Sequence, residues 1–158
     1  MRVFLVRHGV AVDDHPAGDE ARPLTAEGRR AFREFAAEIA GDLELKGIVT
    51  SPLVRAVQTA EILADACGIE EVRCEDALSV DKATPSAIAQ LARTLGSGWA
   101  FVGHNPSMGM TLGTWLGVNP GEVHFRKGAI AALRSSGPNT PLELTFMASP
   151  GRKKIRSL

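Results

Sequence analysis

Two kinds of apolar pattern alternate along this chain: short unbroken runs, and longer stretches in which apolar residues return every three or four positions. Val3 to Val6 is the first run, β-branched in part and stopped by Arg7-His8-Gly9, and it predicts a buried strand. Asp13 to Arg22 is polar and predicts a loop. Thr25 can then cap a helix whose Phe32, Phe35, Ala36, Ile39 and Ala40 share one face, with Gly41 as its stop. Ile48 to Thr50 is a second short strand, followed at once by Ser51-Pro52, which reads as an N-cap with proline in the first helical position. That helix is expected to place Leu53, Val57, Ala60 and Ala64 on one face and to end by Gly68.

Val72 to Cys74 predicts a further strand, and Thr84-Pro85 repeats the cap-and-proline start, with Ile88, Leu91, Ala92 and Leu95 at helical spacing. Trp99 to Gly103 is another buried strand, leading through His104-Asn105-Pro106 into a helix over Ser107–Leu116. Ala129 to Leu133 and Leu142 to Met147 read as two strands around the turn Ser136-Gly137-Pro138-Asn139. No internal repeat or linker breaks the pattern, so one domain is expected over 1–150, with the basic segment 151–158 as a solvated tail.

Strands that alternate with helices predict an α/β fold around a mostly parallel central sheet. Ligands in such sheets collect beyond the carboxyl ends of the strands. Three of those ends carry polar residues: Arg7-His8-Gly9, then Thr50-Ser51-Pro52 with Arg55, then Gly103-His104-Asn105. If the three strands are neighbours, two histidines and two arginines meet at one place.

Composition narrows what they would meet. Lys+Arg and Asp+Glu are 18 each, so no net charge draws nucleic acid or an anionic membrane, and neither is expected as a partner. Affinity for an anion must be local. Cys67 and Cys74, the only cysteines, match no zinc or redox spacing and are expected as reduced, partly buried thiols. No apolar run reaches membrane-spanning length, and Arg7 ends the N-terminal run too early for a signal-peptide core, so a cytoplasmic location is expected.

The converging group suits a phosphoryl centre. Arginine grips phosphate oxygens bidentately and keeps its charge. Arg55 stands in a helix's first turn, where a cation is unfavourable unless an anion shares the helix N-terminus. A neutral imidazole can attack phosphorus and become the phosphorylated intermediate. Gly9 lets the backbone come close, and a second, protonated histidine can neutralise charge on the equatorial oxygens. A metal is the competing use of two histidines. No H-x-x-H or H-E-x-x-H spacing is present, and two arginines would repel a divalent cation, so neither metal nor cofactor is expected.

Leu5-Val-Arg7-His8-Gly9, Ser51-Pro52-Leu-Val-Arg55-Ala56-Val-Gln-Thr59-Ala60 and Val102-Gly103-His104-Asn105 together resemble, in order, the motifs of the histidine phosphatase superfamily, also called phosphoglycerate mutase-like. Arg22-Pro23-Leu24-Thr25-x-x-Gly28 and Gly103-His104-Asn105-Pro106 resemble the SixA-type phosphohistidine phosphatases within it, over Met1 to about Pro150. The resemblance implies a three-layer α/β/α sandwich. It implies His8 as the phosphorylated nucleophile, with Arg7, Arg55 and His104 holding the phosphoryl group. Arg22 and Asn105 are carried over as substrate-binding candidates, Asn105 equally as a residue that shapes the turn before Pro106. Many superfamily members use a carboxylate to protonate the leaving oxygen. Asp76 and Asp81 lie in the corresponding stretch, though neither spacing marks an acid.

The implied activity is a phosphoric-group hydrolase acting on phosphohistidine of a signalling or phosphotransfer protein. The P–N bond is labile once the leaving imidazole is protonated, so a missing acid is tolerable there, whereas an alkoxide leaves poorly without a proton. The short chain leaves little length for a lid, which favours a histidine presented by another protein. A phosphatase for small phosphomonoesters and a phosphoprotein-binding module without catalysis stay open as alternatives. His15 and His124 are expected in solvent.

Overall fold

The computed structural model describes residues 1–137 and 139–158; of the predicted turn, Pro138 lies outside the described residues. Six strands form one sheet: β1 (Arg2–Arg7), β2 (Gly47–Thr50), β3 (Val72–Cys74), β4 (Trp99–Gly103), β5 (Ile130–Arg134) and β6 (Glu143–Ala148). Their order is β3-β2-β4-β1-β5-β6; the first four run parallel, and β5 pairs antiparallel with both β1 and β6. The predicted neighbourhood therefore exists, because β2, β4 and β1 lie side by side.

Alternation along the strands makes the layers. Phe4, Val6, Ile48, Ala100 and Val102 face one side, where they bury α1 (Ala26–Leu43) and α2 (Val54–Cys67). Val3, Leu5, Val49 and Phe101 face the other, against α3 (Pro85–Leu95) and α4 (Ser107–Leu116). A strand buried on both faces has no polar side to show, which is why β1 and β4 read as unbroken apolar runs. The result is a three-layer α/β/α sandwich, as the resemblance implied. Among the described residues no helix is long and apolar enough to cross a membrane.

Several local expectations need correction. The first helix does not stop at Gly41; it runs to Leu43, which is fully buried and extends the stripe from Ile39, and Glu44 ends it with a left-handed φ of 48°. Ser51-Pro52 is not the cap of α2. That helix starts at Val54 after Leu53, and the Ser51 hydroxyl, set before the helix, accepts from Leu53 N–H (3.3 Å) and meets His104 Nε2 (2.7 Å). Its buried face carries the predicted Ala60 and Ala64 together with Ala56, Thr59 and Leu63; Val57 is only half-buried, and Leu53 is buried but precedes the helix. Cys67 is half-buried, but Cys74 is exposed. The tail is exposed throughout yet not free. Ile155 N–H donates to Met147 O (2.9 Å), Met147 N–H donates to Ile155 O (2.8 Å), and Lys154 Nζ pairs with Asp42 Oδ2 (2.6 Å).

The strand-end loop after β1 is clamped to α1. Thr25 N–H donates to Val10 O (3.0 Å), and the Thr25 hydroxyl accepts from Gly28 N–H (2.8 Å). A Cβ on Gly28 would collide with the Val10 carbonyl, so the glycine in Thr25-x-x-Gly28 keeps helix and loop in contact. Elsewhere in a helix, Gly→Ala gains up to about 1 kcal/mol in propensity. Here the displaced backbone should outweigh that gain. Gly28→Ala is expected to lower stability by about 1–3 kcal/mol, the usual cost of overpacking, read from the midpoint of urea denaturation. A rise in the midpoint would show that the contact is not tight.

Candidate active site

The strand ladder builds the site. Arg7 lies beside Gly103 and Val6 beside Val102, while Thr50 also pairs with Val102, so Arg7, Ser51 and Gly103 emerge at one level, with His8 and His104 next along. The backbone around His8 is held on every side. His8 N–H donates to Gly103 O (3.1 Å), Gly128 N–H donates to His8 O (2.9 Å), and Gly9 N–H donates to the Thr59 hydroxyl (3.0 Å). Gly128 makes that bond with φ +77°, a conformation open to glycine.

The two imidazoles meet with ring centroids 5.2 Å apart and planes tilted by 55°. His8 Nδ1 lies 2.7 Å from Gly9 O. A carbonyl can only accept, so Nδ1 carries the hydrogen and a neutral His8 keeps its lone pair on Nε2. Burial pushes the His8 pKa down to about 4; the Gly9 bond opposes this, and the charges of Arg55, Arg7 and Lys127 add to it. His104 goes further, to about 3, through burial first and then the His8 and Arg55 charges. With no anion bound, His104 is therefore neutral, in a site already rich in positive charge. His104 Nε2 lies 2.7 Å from the Ser51 hydroxyl, which can donate or accept, while Nδ1 is buried without a protein partner. A phosphate dianion here would draw a proton onto that ring, and Ser51 could serve either state.

Two guanidiniums flank the imidazoles. Arg7 donates through Nη1 to Phe125 O (3.0 Å). Arg55, only 3% exposed, donates to Asp19 O (2.9 Å) and to Asp19 Oδ2 (3.2 Å). The Nε atoms of both arginines are buried without a protein partner. Arg22 stands at the rim, its Nε donating to Asp19 Oδ1 (2.8 Å) and its Nη1 to Val12 O (2.8 Å). Arg7, His8, Arg22, Arg55, His104 and Asn105 line one cavity of about 320 Å³. All six residues singled out from the sequence are thus brought together. Asn105 spans two backbone groups, donating to Phe125 O (3.0 Å) and accepting from Gly109 N–H (3.2 Å), so it shapes the turn.

Three contributors escaped the sequence reading. Asp19 joins Arg22 to Arg55. Desolvation opposes its ionisation, but the Arg22 bond and the Arg55 charge outweigh this and hold its carboxyl below the usual range. Its only trace in the sequence is a three-residue spacing from Arg22 within a polar loop. Lys127 lines the cavity because β5 runs antiparallel to β1, setting Ile130 beside Val6 and the preceding residues beside His8. Ser51 was read as a cap and serves His104. Asp76 and Asp81 do not line this cavity; both lie in a neighbouring recess, where Asp81 Oδ1 accepts from the Ser79 hydroxyl (2.9 Å). Asp13 stands at the cavity mouth, exposed. His15 is exposed and His124 lies at the surface, as expected.

A neutral nucleophilic nitrogen inside a cationic cradle is suited to phosphoryl transfer. Comparison with known proteins agrees. Residues 3–79 match the family model of the histidine phosphatase superfamily (branch 1). An uncharacterized protein of Picosynechococcus sp. is 33% identical over 95% of this chain and 97% of its own length. A shorter match, 41% identical, covers 44% of this chain and 34% of a protein of Enterobacter sp. named as a probable phosphoglycerate mutase, GpmB. The structure of the protein histidine phosphatase SixA complexed with tungstate superposes with a TM-score of 0.81 and 26% identity, covering 95% of this chain and 97% of that one. The chain belongs to the histidine phosphatase superfamily, and its activity is that of a phosphatase.

Proposed function

We propose that this phosphatase removes the phosphoryl group from phosphohistidine on a protein, by way of a phosphorylated His8. The observation that carries the reading is the His8 ring, neutral and with Nε2 free, beside Arg7, Arg55 and His104 in an open cavity.

In the first step Nε2 of His8 attacks phosphorus in line with the scissile P–N bond. A bond forms from Nε2 to phosphorus as the substrate's P–N bond breaks, and the departing imidazole takes a proton from solvent. The buried Nε atoms and remaining N–H groups of Arg7 and Arg55 face the charge on the transferred oxygens, and His104 adds to them once the dianion has raised its proton affinity. In the second step water attacks phosphorus, the Nε2–P bond breaks, and inorganic phosphate leaves with His8 neutral again.

Two observations favour phosphohistidine over an ester. The carboxylate beside the phosphate-binding arginines, Asp19, is taken up by Arg22 and Arg55 and is held ionised, so it is a poor proton donor. The chain also superposes more closely on SixA, with a TM-score of 0.81, than on a phosphoserine phosphatase of Entamoeba histolytica, with 0.71. Asp13 at the mouth supports the second reading, a phosphatase for small phosphomonoesters in which that carboxyl protonates the leaving oxygen. We place the reaction in the cytoplasm, where the free thiols Cys67 and Cys74 would stay reduced.

His8→Ala should abolish turnover of a ³²P-phosphohistidine protein while circular dichroism stays unchanged, and wild-type protein quenched in alkali should carry acid-labile label on His8. Normal turnover by the variant would rule the covalent route out. Arg55→Ala should lower kcat by about 10²–10³-fold, the loss expected for one preorganised donor; a near-wild-type kcat would remove Arg55 from the transition state. Asp13→Asn separates the substrates: turnover of phosphohistidine should be unchanged, and a selective loss on phosphomonoesters would favour the second reading.

Stability should also report the buried imidazoles. Both folded pKa values lie below the ordinary 6.5, so between pH 6.5 and about 4 the unfolded chain binds protons that the folded site refuses. Their contribution is therefore complete above pH 6.5 and is lost as pH falls toward 4. Each imidazole that stays neutral while its unfolded counterpart is charged costs about 1.4 kcal/mol of stability for every further drop of one in pH. Urea denaturation of His104→Asn against wild type should show a shallower decline over that window. Parallel curves would mean that His104 titrates normally.

A further inference from the structure

A second basic recess lies on the far side of the segment that forms the cavity rim. It holds about 470 Å³, and its charged or ionisable wall is His124, Arg126, Arg152 and Lys153, with no carboxylate among the lining residues. Arg126, Arg152 and Lys153 take part in no ion pair among the described residues. In a chain of zero net charge, this local excess of positive charge gives the recess an attraction for anions that the chain as a whole lacks.

The recess is built rather than incidental. The paired N–H and C=O bonds between Met147 and Ile155 fold the tail back along the edge strand β6. Arg152 N–H donates to Ser149 O (3.2 Å), and Lys154 is anchored on Asp42 and over the Phe146 ring, 4.6 Å from its centre. Arg152 and Lys153 are thereby held between anchored neighbours. The tail's other flank carries Glu38 and Asp42, of which Asp42 is occupied by Lys154.

Position gives the recess its use. Arg126 lines it, and the next residue, Lys127, lines the catalytic cavity. A polypeptide whose phosphorylated residue entered the cavity would lay its neighbouring residues along the recess. We propose that this recess is a docking site for an acidic segment flanking the phosphorylated histidine of a partner protein. The proposal rests on the phosphohistidine reading for its substrate, and adds that the partner is recognised by negative charge beside the modified residue. Charge complementarity of this kind raises association rate and specificity, and it weakens with salt.

The test uses two phosphohistidine peptides that differ only in flanking glutamates or flanking glutamines. Wild-type protein should hydrolyse the glutamate peptide with about tenfold higher kcat/KM at low salt, the preference fading as salt is raised. The variant Arg126→Glu/Arg152→Glu/Lys153→Glu should lose the preference and keep its rate on the glutamine peptide. Equal kcat/KM for both peptides on wild-type protein would overturn the docking site. Fluorescence anisotropy of the unphosphorylated glutamate peptide separates this proposal from the reading beneath it. If neither phosphopeptide is turned over but the glutamate peptide binds wild type and not the variant, the docking site stands and the phosphohistidine reading falls. Absence of binding to wild type, or competition that only inorganic tripolyphosphate can exert, overturns docking of a protein segment.

Discussion

Everything at the site hangs on the parallel ladder β2-β4-β1. Thr50, Val102 and Val6 stand in one row, so the residues that follow, Ser51, Gly103-His104 and Arg7-His8, leave the sheet together. A slip of one residue would turn every side chain of a strand to the opposite face. Val3, Phe4, Leu5 and Val6 are all buried, alternately against the two helical layers, and that double burial enforces the register. The apolar packing of the sheet thus sets the 5.2 Å separation of two imidazoles that share no hydrogen bond.

The second governing constraint is charge. Arg7, Arg55 and Lys127 gather around two buried histidines, and the protein answers by keeping both rings neutral and by pairing Asp19 with Arg55 and Arg22. Burial first, and the surrounding cations after it, deny His8 a second proton, while Gly9 O holds the remaining hydrogen on Nδ1 and leaves the lone pair on Nε2. The positive charge continues beyond the cavity into the recess at Arg126 and Arg152.

Much of this was legible from one line of reasoning. Burial on both faces erases alternation, so β1, β2 and β4 announced themselves as apolar runs, and the polar residue after each run marked the edge where ligands gather. Helix ends were less faithful. Gly41 looked like a stop and was overruled by burial of Leu43; Ser51 looked like the cap of α2, but the helix begins three residues later and the hydroxyl also meets a buried nitrogen 2.7 Å away. A local preference worth about 1 kcal/mol yields to a tertiary contact of larger worth.

The amino-acid sequence by itself determined the order of strands and helices and put Arg7, His8, Arg55, His104 and Asn105 at strand ends, because periodicity and strand-end chemistry are local properties; Arg22 and the three layers came from the resemblance to the histidine phosphatases. Only the tertiary structure decided how the site's atoms are disposed: the tautomer of His8, the neutrality of His104, the Asp19 clamp, and the arrival of Lys127 ahead of the antiparallel strand β5. Each of these depends on burial or on a partner distant in the chain, at 36 residues between Asp19 and Arg55 and 53 between Ser51 and His104. No pattern within a helical turn or a strand pair can register such a distance, and the field at a buried ring exists only once the chain has closed around it.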